Sequence, residues 1–205
     1  AVRSRGLGDV YKRQNQNILI PLSMNNTKTY MSTEDYGKNL TLGYSSLNRN
    51  NEREKVNFFN ADGIAAAAGF TSNVEDLAKF ARWQIDLVKS LEKNILSPET
   101  LKLMHEIHWD DKLTSVTRGL GFGVYNFDGE NWVGHGGSCP GYRSQLYINT
   151  NKELAYSVMI NSSGTSPTKY IDGIHEILSN VTLKKGEEIN TVSYTHLRAH
   201  ETLQH

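Results

Sequence analysis

Between Val74 and Val88, apolar residues at Val74, Leu77, Ala81, Ile85 and Val88 follow a spacing of three to four, which predicts a helix burying one face. Ser72, with Glu75 three residues on, fits a capping box at its start. A second helix is expected from Ser97-Pro98-Glu99, an N-cap followed by proline in the first turn, carrying Leu101 and Met104 inward. Ser166-Pro167 opens a final helix, with Tyr170, Ile171, Ile174, Ile177, Leu178 and Val181 at helical spacing. Ahead of these, Ile18 to Tyr30 reads as a helix end breaking at Pro21, followed by an Asn-rich turn. Residues 32 to 60 are polar and suggest a long surface loop. Gly63 to Gly69 is small enough to lie against a sheet or pocket wall.

In the second half the period shortens to two. Phe122 to Phe127, Trp132 to Gly136, Tyr142 to Ile148 and Leu154 to Ile160 read as strands, separated by Asp128-Gly129, by Cys139-Pro140-Gly141 and by residues 149 to 152. Such short connections make the strands antiparallel neighbours. Alternation groups Tyr142, Ser144, Leu146 and Ile148 with Leu154, Tyr156, Val158 and Ile160 on one face of the last two. Helices packed on an antiparallel sheet make the fold class α+β.

The two ends change the domain limits. Ser4 to Gln14 and Val192 to Thr202 back-translate to strings that are reverse complements of one another, and both resemble the transposase adaptor of sequencing libraries. Residues 1–14 and 192–205 are therefore expected to be adaptor-derived, leaving 15–191 as the C-terminal portion of one domain. The whole chain has 22 basic and 22 acidic side chains; without Arg3, Arg5, Lys12, Arg13, Arg198, Asp9 and Glu201 the balance is 17 to 20. That mild acidity gives no basic surface for nucleic acid or anionic membrane. Cys139 is the single cysteine, so no internal disulfide forms. No apolar run reaches the length of a transmembrane helix.

The candidate chemistry lies in Trp132-Val133-Gly134-His135-Gly136-Gly137-Ser138, followed by Pro140-Gly141-Tyr142. An apolar lead-in followed by small residues lets another backbone approach the strand, and a histidine at that edge can meet a polar or anionic ligand. By itself such a histidine could equally cap a turn. Cys139 beside it could be a thiol nucleophile, but a turn residue before Pro140 is the better reading, because no further group is placed to orient a base. His105 and His108 with Asp110 and Asp111 could ligate a metal; a solvated helix end is preferred, since a third ligand is lacking. Trp132 and the tyrosines could line a glycan groove, though strand aromatics are usually core.

Five segments, in order, carry a resemblance: Pro21-Leu22-Ser23-Met24 with Thr27; Ala68 to Ser72 with Asp76-Leu77-Ala78-Lys79-Phe80; Ile95 to Thr100; Gly119-Leu120-Gly121-Phe122-Gly123; and His135-Gly136-Gly137 with the strand ending at Asn161. Together they resemble the class C beta-lactamase-related serine hydrolases, a family of beta-lactamases, D,D-peptidases, D-aminopeptidases and esterases. The resemblance implies a beta-lactamase/transpeptidase-like fold lacking its N-terminal part, with an open sheet edge. It implies acyl transfer through a serine ester, no cofactor, a D-amino-acid peptide, ester or beta-lactam as substrate, and a periplasmic or extracellular setting.

On the same resemblance, His135 contacts the ligand's carboxylate or assists proton movement, and Gly137 leaves room for the acyl group. The backbone N–H of Ser138 is one oxyanion donor, while Gly136 and Asn161 contact the substrate. Histidine in place of the lysine of the Lys-Thr-Gly element points to the peptidase and esterase branches. The family's Ser-x-x-Lys and Tyr-x-Asn precede the Pro-Leu-Gly-Met turn. Here Ser90…Lys93, Ser166…Lys169 and Tyr147-Ile148-Asn149 fit those patterns only downstream of it, so the chain itself is expected to be inactive. The other reading is a non-catalytic ligand- or cell-wall-binding module.

Overall fold

The computed structural model describes residues 7–30, 32–90, 94–113, 116–127 and 129–185. Residues 192–205 and 1–6 of the two expected adaptor ends, together with Lys93 and Asp128, lie outside the described residues. The chain divides into two units, Ala1–Ile171 and Asp172–His205.

In the first unit, helix α1 (Leu7–Gln14) runs into a π-helical turn (Asn15–Leu19), and the chain then turns through Pro21 to bury Met24 and Thr27. Gln14 donates to the Ala66 carbonyl at 3.0 Å. Residues 36–61 contain neither α-helix nor strand, as their polarity predicts. They are nevertheless tied down: the Arg53 guanidinium donates to the carbonyls of Ser45 and Ser163 and to the Thr165 hydroxyl. The small-residue segment is a 3₁₀ turn (Asp62–Ile64) leading into a single α-turn, α2 (Ala65–Ala68).

Helix α3 (Val74–Lys89) forms where predicted, but its cap is Asn73, whose side chain accepts from the Asp76 N–H. Ser72 is instead hydrogen-bonded to the Thr27 hydroxyl at 2.8 Å and to the Asn73 carbonyl at 3.4 Å, so that side chain makes a tertiary contact and does not cap the helix. The buried positions of α3 are Asp76, Ala81, Gln84, Ile85 and Leu87, while Val74 is exposed. Helix α4 (Pro98–His105) is capped by Ser97 and fully buries Leu101.

Among the described residues six antiparallel strands follow in sequential order: β1 (Trp109–Asp111), β2 (Val116–Arg118), β3 (Gly123–Phe127), β4 (Glu130–Cys139), β5 (Tyr142–Asn149) and β6 (Leu154–Ile160). The hairpin between β4 and β5 turns at Pro140-Gly141, with Gly141 at φ 83°, the proline-then-glycine order of a type II turn. Register corrects the expected faces. Leu146 pairs with Ser157 and Ile148 with Ala155, whereas Tyr147 pairs with Tyr156. Leu146 and Ile148 thus share a face with Ala155, Ser157 and Met159, not with Tyr156 and Val158, because the Asn149–Leu154 closing pair shifts β6 by one residue relative to β5.

Two layers result. One face packs Val124, Val133, Leu146 and Ile148 against Ala81 and Ile85 of α3, with Phe80, Phe122 and Ala155 at the margin. The other stacks Trp132 between Phe127 and Tyr156, and Tyr147 meets Tyr125 and Phe127. Strand β6 ends the sheet; Tyr44 pairs with Ser162 just past it.

Helix α5 (Pro167–Lys185) opens in the first unit with Ile171 buried and Tyr170 exposed. It continues through the second unit, where Ile177 is exposed; the side chain of Val181 lies outside the described residues.

The Pro21 turn is fastened to α3 by one carboxylate. Asp76 is fully buried and its Oδ2 accepts from the Asn26 N–H (2.8 Å) and the Thr27 hydroxyl (2.9 Å), while Oδ1 accepts from Lys79 at 2.8 Å. Burial alone would raise its pKa, but the bonds from Lys79, Thr27 and Asn26 outweigh that and hold the carboxyl below its ordinary value. Asp76→Ala should lower unfolding free energy in urea by about 2 to 3 kcal/mol, since it leaves buried donors without an acceptor. Wild-type stability tied to this group should persist above pH 3.8 and be lost as pH falls below it.

Candidate active site

Strand β4 is paired unequally on its two sides. Its ladder with β3 ends at Gly123–Gly134, whereas its ladder with β5 continues to Cys139–Tyr142. His135 to Cys139 therefore has a partner strand on one side only among the described residues. A free strand edge presents N–H and C=O groups ready to pair with an extended ligand. The lead-in Trp132, Val133 and Gly134 is buried, and His135, Gly136, Gly137 and Ser138 are exposed. The core thus holds the strand rigidly up to the point where it becomes accessible.

Two glycines do different work here. A Cβ on Gly134 would stand 1.8 Å from the Leu146 carbonyl oxygen, so only glycine lets β4 close against β5 there. A Cβ on Gly137 would meet only the Ser144 hydroxyl, at 2.4 Å, and that group can rotate away. Gly137 itself is exposed.

His135 Nδ1 lies 2.6 Å from the Gly136 carbonyl. A carbonyl only accepts, so Nδ1 carries the proton and Nε2 holds the lone pair in the neutral ring. Strand alternation puts His135 and Gly137 on the face of Leu146 and Ser144, the face that α3 covers farther along. Gly136 and Ser138 lie opposite Gln145 and Arg143 on the other face. Arg143 braces the hairpin by donating to the carbonyls of Cys139 and Tyr142. Burial pushes the Cys139 thiol above its usual pKa against the opposing charge of Arg143, which keeps it a thiol rather than a nucleophilic thiolate.

Asn161 stands apart from this edge. It follows β6, two strands from β4, and its side-chain amide donates to the Leu42 carbonyl at 3.0 Å. Tyr142 donates to the Thr41 carbonyl at 2.5 Å, so residues 41 and 42 lie over the hairpin end of the sheet. Burial pushes the Tyr142 hydroxyl up to about 12, which suits a fixed donor.

The alternative nucleophile motifs have other surroundings. Ser90 ends α3, Ser166 is bonded to Thr168 at the start of α5, and Tyr147 lies buried on the face opposite His135. Asn149 is buried and accepts from the N–H groups of Asn151 and Lys152, a turn-forming role. His105 is not at a solvated helix end. Its Nε2 donates to the buried Gln84 at 2.9 Å and its ring meets Phe122 edge-on at 5.0 Å. His108 is engaged with the Leu103 carbonyl at 2.7 Å. Among the described residues, no three His, Cys, Asp or Glu side chains gather as a metal cluster. Nor is any described helix long and apolar enough to cross a membrane.

The beta-lactamase family model matches residues 14–178, most of the chain. The chain belongs to the beta-lactamase family. Its sheet and helices resemble an octameric penicillin-binding protein homologue from Pyrococcus abyssi at 26% identity and TM-score 0.64, over 86% of this chain and 38% of that one. They also resemble a D-stereospecific amidohydrolase from Streptomyces sp. at 22% identity and TM-score 0.58, over 74% of this chain and 44% of that one, a likeness of fold alone. The beta-lactamase-family chain thus spans less than half the length of either structure. No curated protein matches it.

Two outcomes are expected of this site. Gly134→Ala should lower unfolding free energy by about 1 to 3 kcal/mol through overpacking, whereas Gly137→Ala should change it by less than about 0.5 kcal/mol; urea denaturation of both variants measures the contrast. Burial lowers the His105 pKa from 6.5 to about 4. Below pH 6.5 the unfolded chain takes up a proton that the folded chain refuses, so stability should fall as pH drops from 6.5 towards 4. Thermal midpoints across that window should flatten in His105→Gln.

Proposed function

We propose that this chain carries the substrate-binding sheet of a serine acyl hydrolase acting on D-amino-acid peptides, esters or beta-lactams. The one-sided pairing of His135 to Cys139 carries the proposal, because a ligand backbone can complete the sheet there. Membership of the beta-lactamase family and the likeness to a penicillin-binding protein homologue support it. In this reading the N–H of Ser138 donates to the oxyanion, a contact whose loss typically costs about 3 to 4 kcal/mol of transition-state stabilisation. Gly136 and Gly137 let the acyl group lie close to the strand. His135, with Nδ1 engaged, offers Nε2 to accept a proton or, once protonated, to hold a carboxylate. Asn161 holds the 41–42 segment that borders the substrate.

The attacking serine belongs to a Ser-x-x-Lys upstream of the Pro21 turn, with a Tyr-x-Asn after it, and this sequence has neither in that order. The chain alone binds without turnover, and residues 1–14 and 192–205 stand outside the working domain. Reading the source DNA upstream of Asn15 tests this. Ser-x-x-Lys followed by Tyr-x-Asn ahead of Pro21 is expected, and protein made from the whole gene should be covalently labelled by a fluorescent penicillin, while the 205-residue chain should not. Replacement of both motifs would favour a non-catalytic binding module, and labelling of the 205-residue chain would overturn the assignment of the nucleophile.

A further inference from the structure

Ser144 is the side chain directly opposite Gly137 in the β4–β5 ladder. Its hydroxyl stands 2.4 Å from where a Gly137 Cβ would be, so it reaches across the space that the missing side chain leaves. The residue is half-buried, and among the described residues no hydrogen bond engages its hydroxyl. This contrasts with its surroundings. On the same face, His135 is engaged with Gly136 and Tyr142 with Thr41, and just past β6 Asn161 is engaged with Leu42.

The neighbouring cover leaves Ser144 only half-buried. Helix α3 covers the sheet over Leu146 and Ile148, and residues 41 and 42 cover it at Tyr142 and Asn161. Ser144 lies between these two covered regions, paired on its other side with Met159, which is 40% exposed. Gly137, Ser144 and Met159 therefore lie side by side on this face, with His135 two residues from Gly137 along β4. A hydroxyl with no partner of its own among the described residues, carried on a strand paired on both sides, can turn toward a ligand at the neighbouring edge without breaking an existing hydrogen bond.

Resting on the proposed function of this edge, the structure assigns Ser144 as a further ligand-contact residue. Its hydroxyl donates to a carbonyl or carboxylate oxygen of an acyl ligand lying over Gly137, on the same face as His135 Nε2. Specificity then favours ligands with an oxygen acceptor at that point and a small group against Gly137.

The test is a titration of the 205-residue chain with N-acetyl-D-alanyl-D-alanine, following backbone amide shifts of residues 135–138 by NMR. Wild type should show saturable shifts at these amides. Ser144→Ala should weaken binding by roughly tenfold, the equivalent of one lost hydrogen bond, with urea stability unchanged. Ser144→Thr, which keeps a hydroxyl in a strand-compatible residue, should restore most of the affinity. Equal affinity in wild type and Ser144→Ala, with shifts still centred on 135–138, would overturn the role of Ser144 and leave the site itself standing. An absence of shifts at 135–138 in wild type would overturn both.

Discussion

A single buried carboxylate organises the helical side of this protein. Asp76 stands on the first turn of α3 and accepts from Asn26, Thr27 and Lys79, so the turn after Pro21 cannot move independently of the helix. Thr27 passes the constraint on to Ser72, and the backbone of Lys28 pairs with that of Thr71 in both directions. A charge so deeply buried is tolerable only when its oxygens are satisfied. Two sequence segments about fifty residues apart are thereby read as one structural unit, and α3 presents Ala81 and Ile85 to the sheet at a set height.

The sheet receives that constraint through its core and transmits it to the edge. Ile85 and Ala81 pack with Val133, which precedes Gly134, with Leu146, which pairs with His135, and with Ile148, which pairs with Val133. The opposite face is held by stacked aromatics around Trp132. Strand β4 is thus clamped on both faces until Gly134 and exposed immediately afterwards. A functional group on such a strand is positioned by the fold rather than by its own loop.

Much of this was readable in the chain. Strands β3 to β6 announce themselves by alternation and by turn residues, and α4 by Ser97-Pro98. The His135-Gly136-Gly137 element stands out as small residues after an apolar lead-in, and it gains meaning only from the five ordered segments that carry the family. Other features depend on tertiary choice. Ser72 and Asn73 are both competent caps, and only the pull of Thr27 on Ser72 decides between them. Strands β1 and β2 are three residues each, too short for a period to register, and Trp109-Asp110-Asp111 has no apolar alternation. The faces of β5 and β6 hinge on a one-residue register that the connecting turn sets. Ser144 stayed hidden for the same reason, since its position opposite Gly137 exists only once the β4–β5 register is known. His105 read as solvated because nothing nearby in sequence reveals the burial of Gln84, its partner from α3.

The unequal pairing of β4 also bears on what kind of selectivity such an edge can have. A strand edge recognises the repeat of amide and carbonyl groups, which every extended peptide shares, and it is indifferent to side chains that point away from it. Stringency must then come from the few places where the edge has relief. On this strand those places are the His135 imidazole and the bare Gly137, so under the proposed function shape at one carbon, more than overall sequence, would separate accepted from rejected molecules.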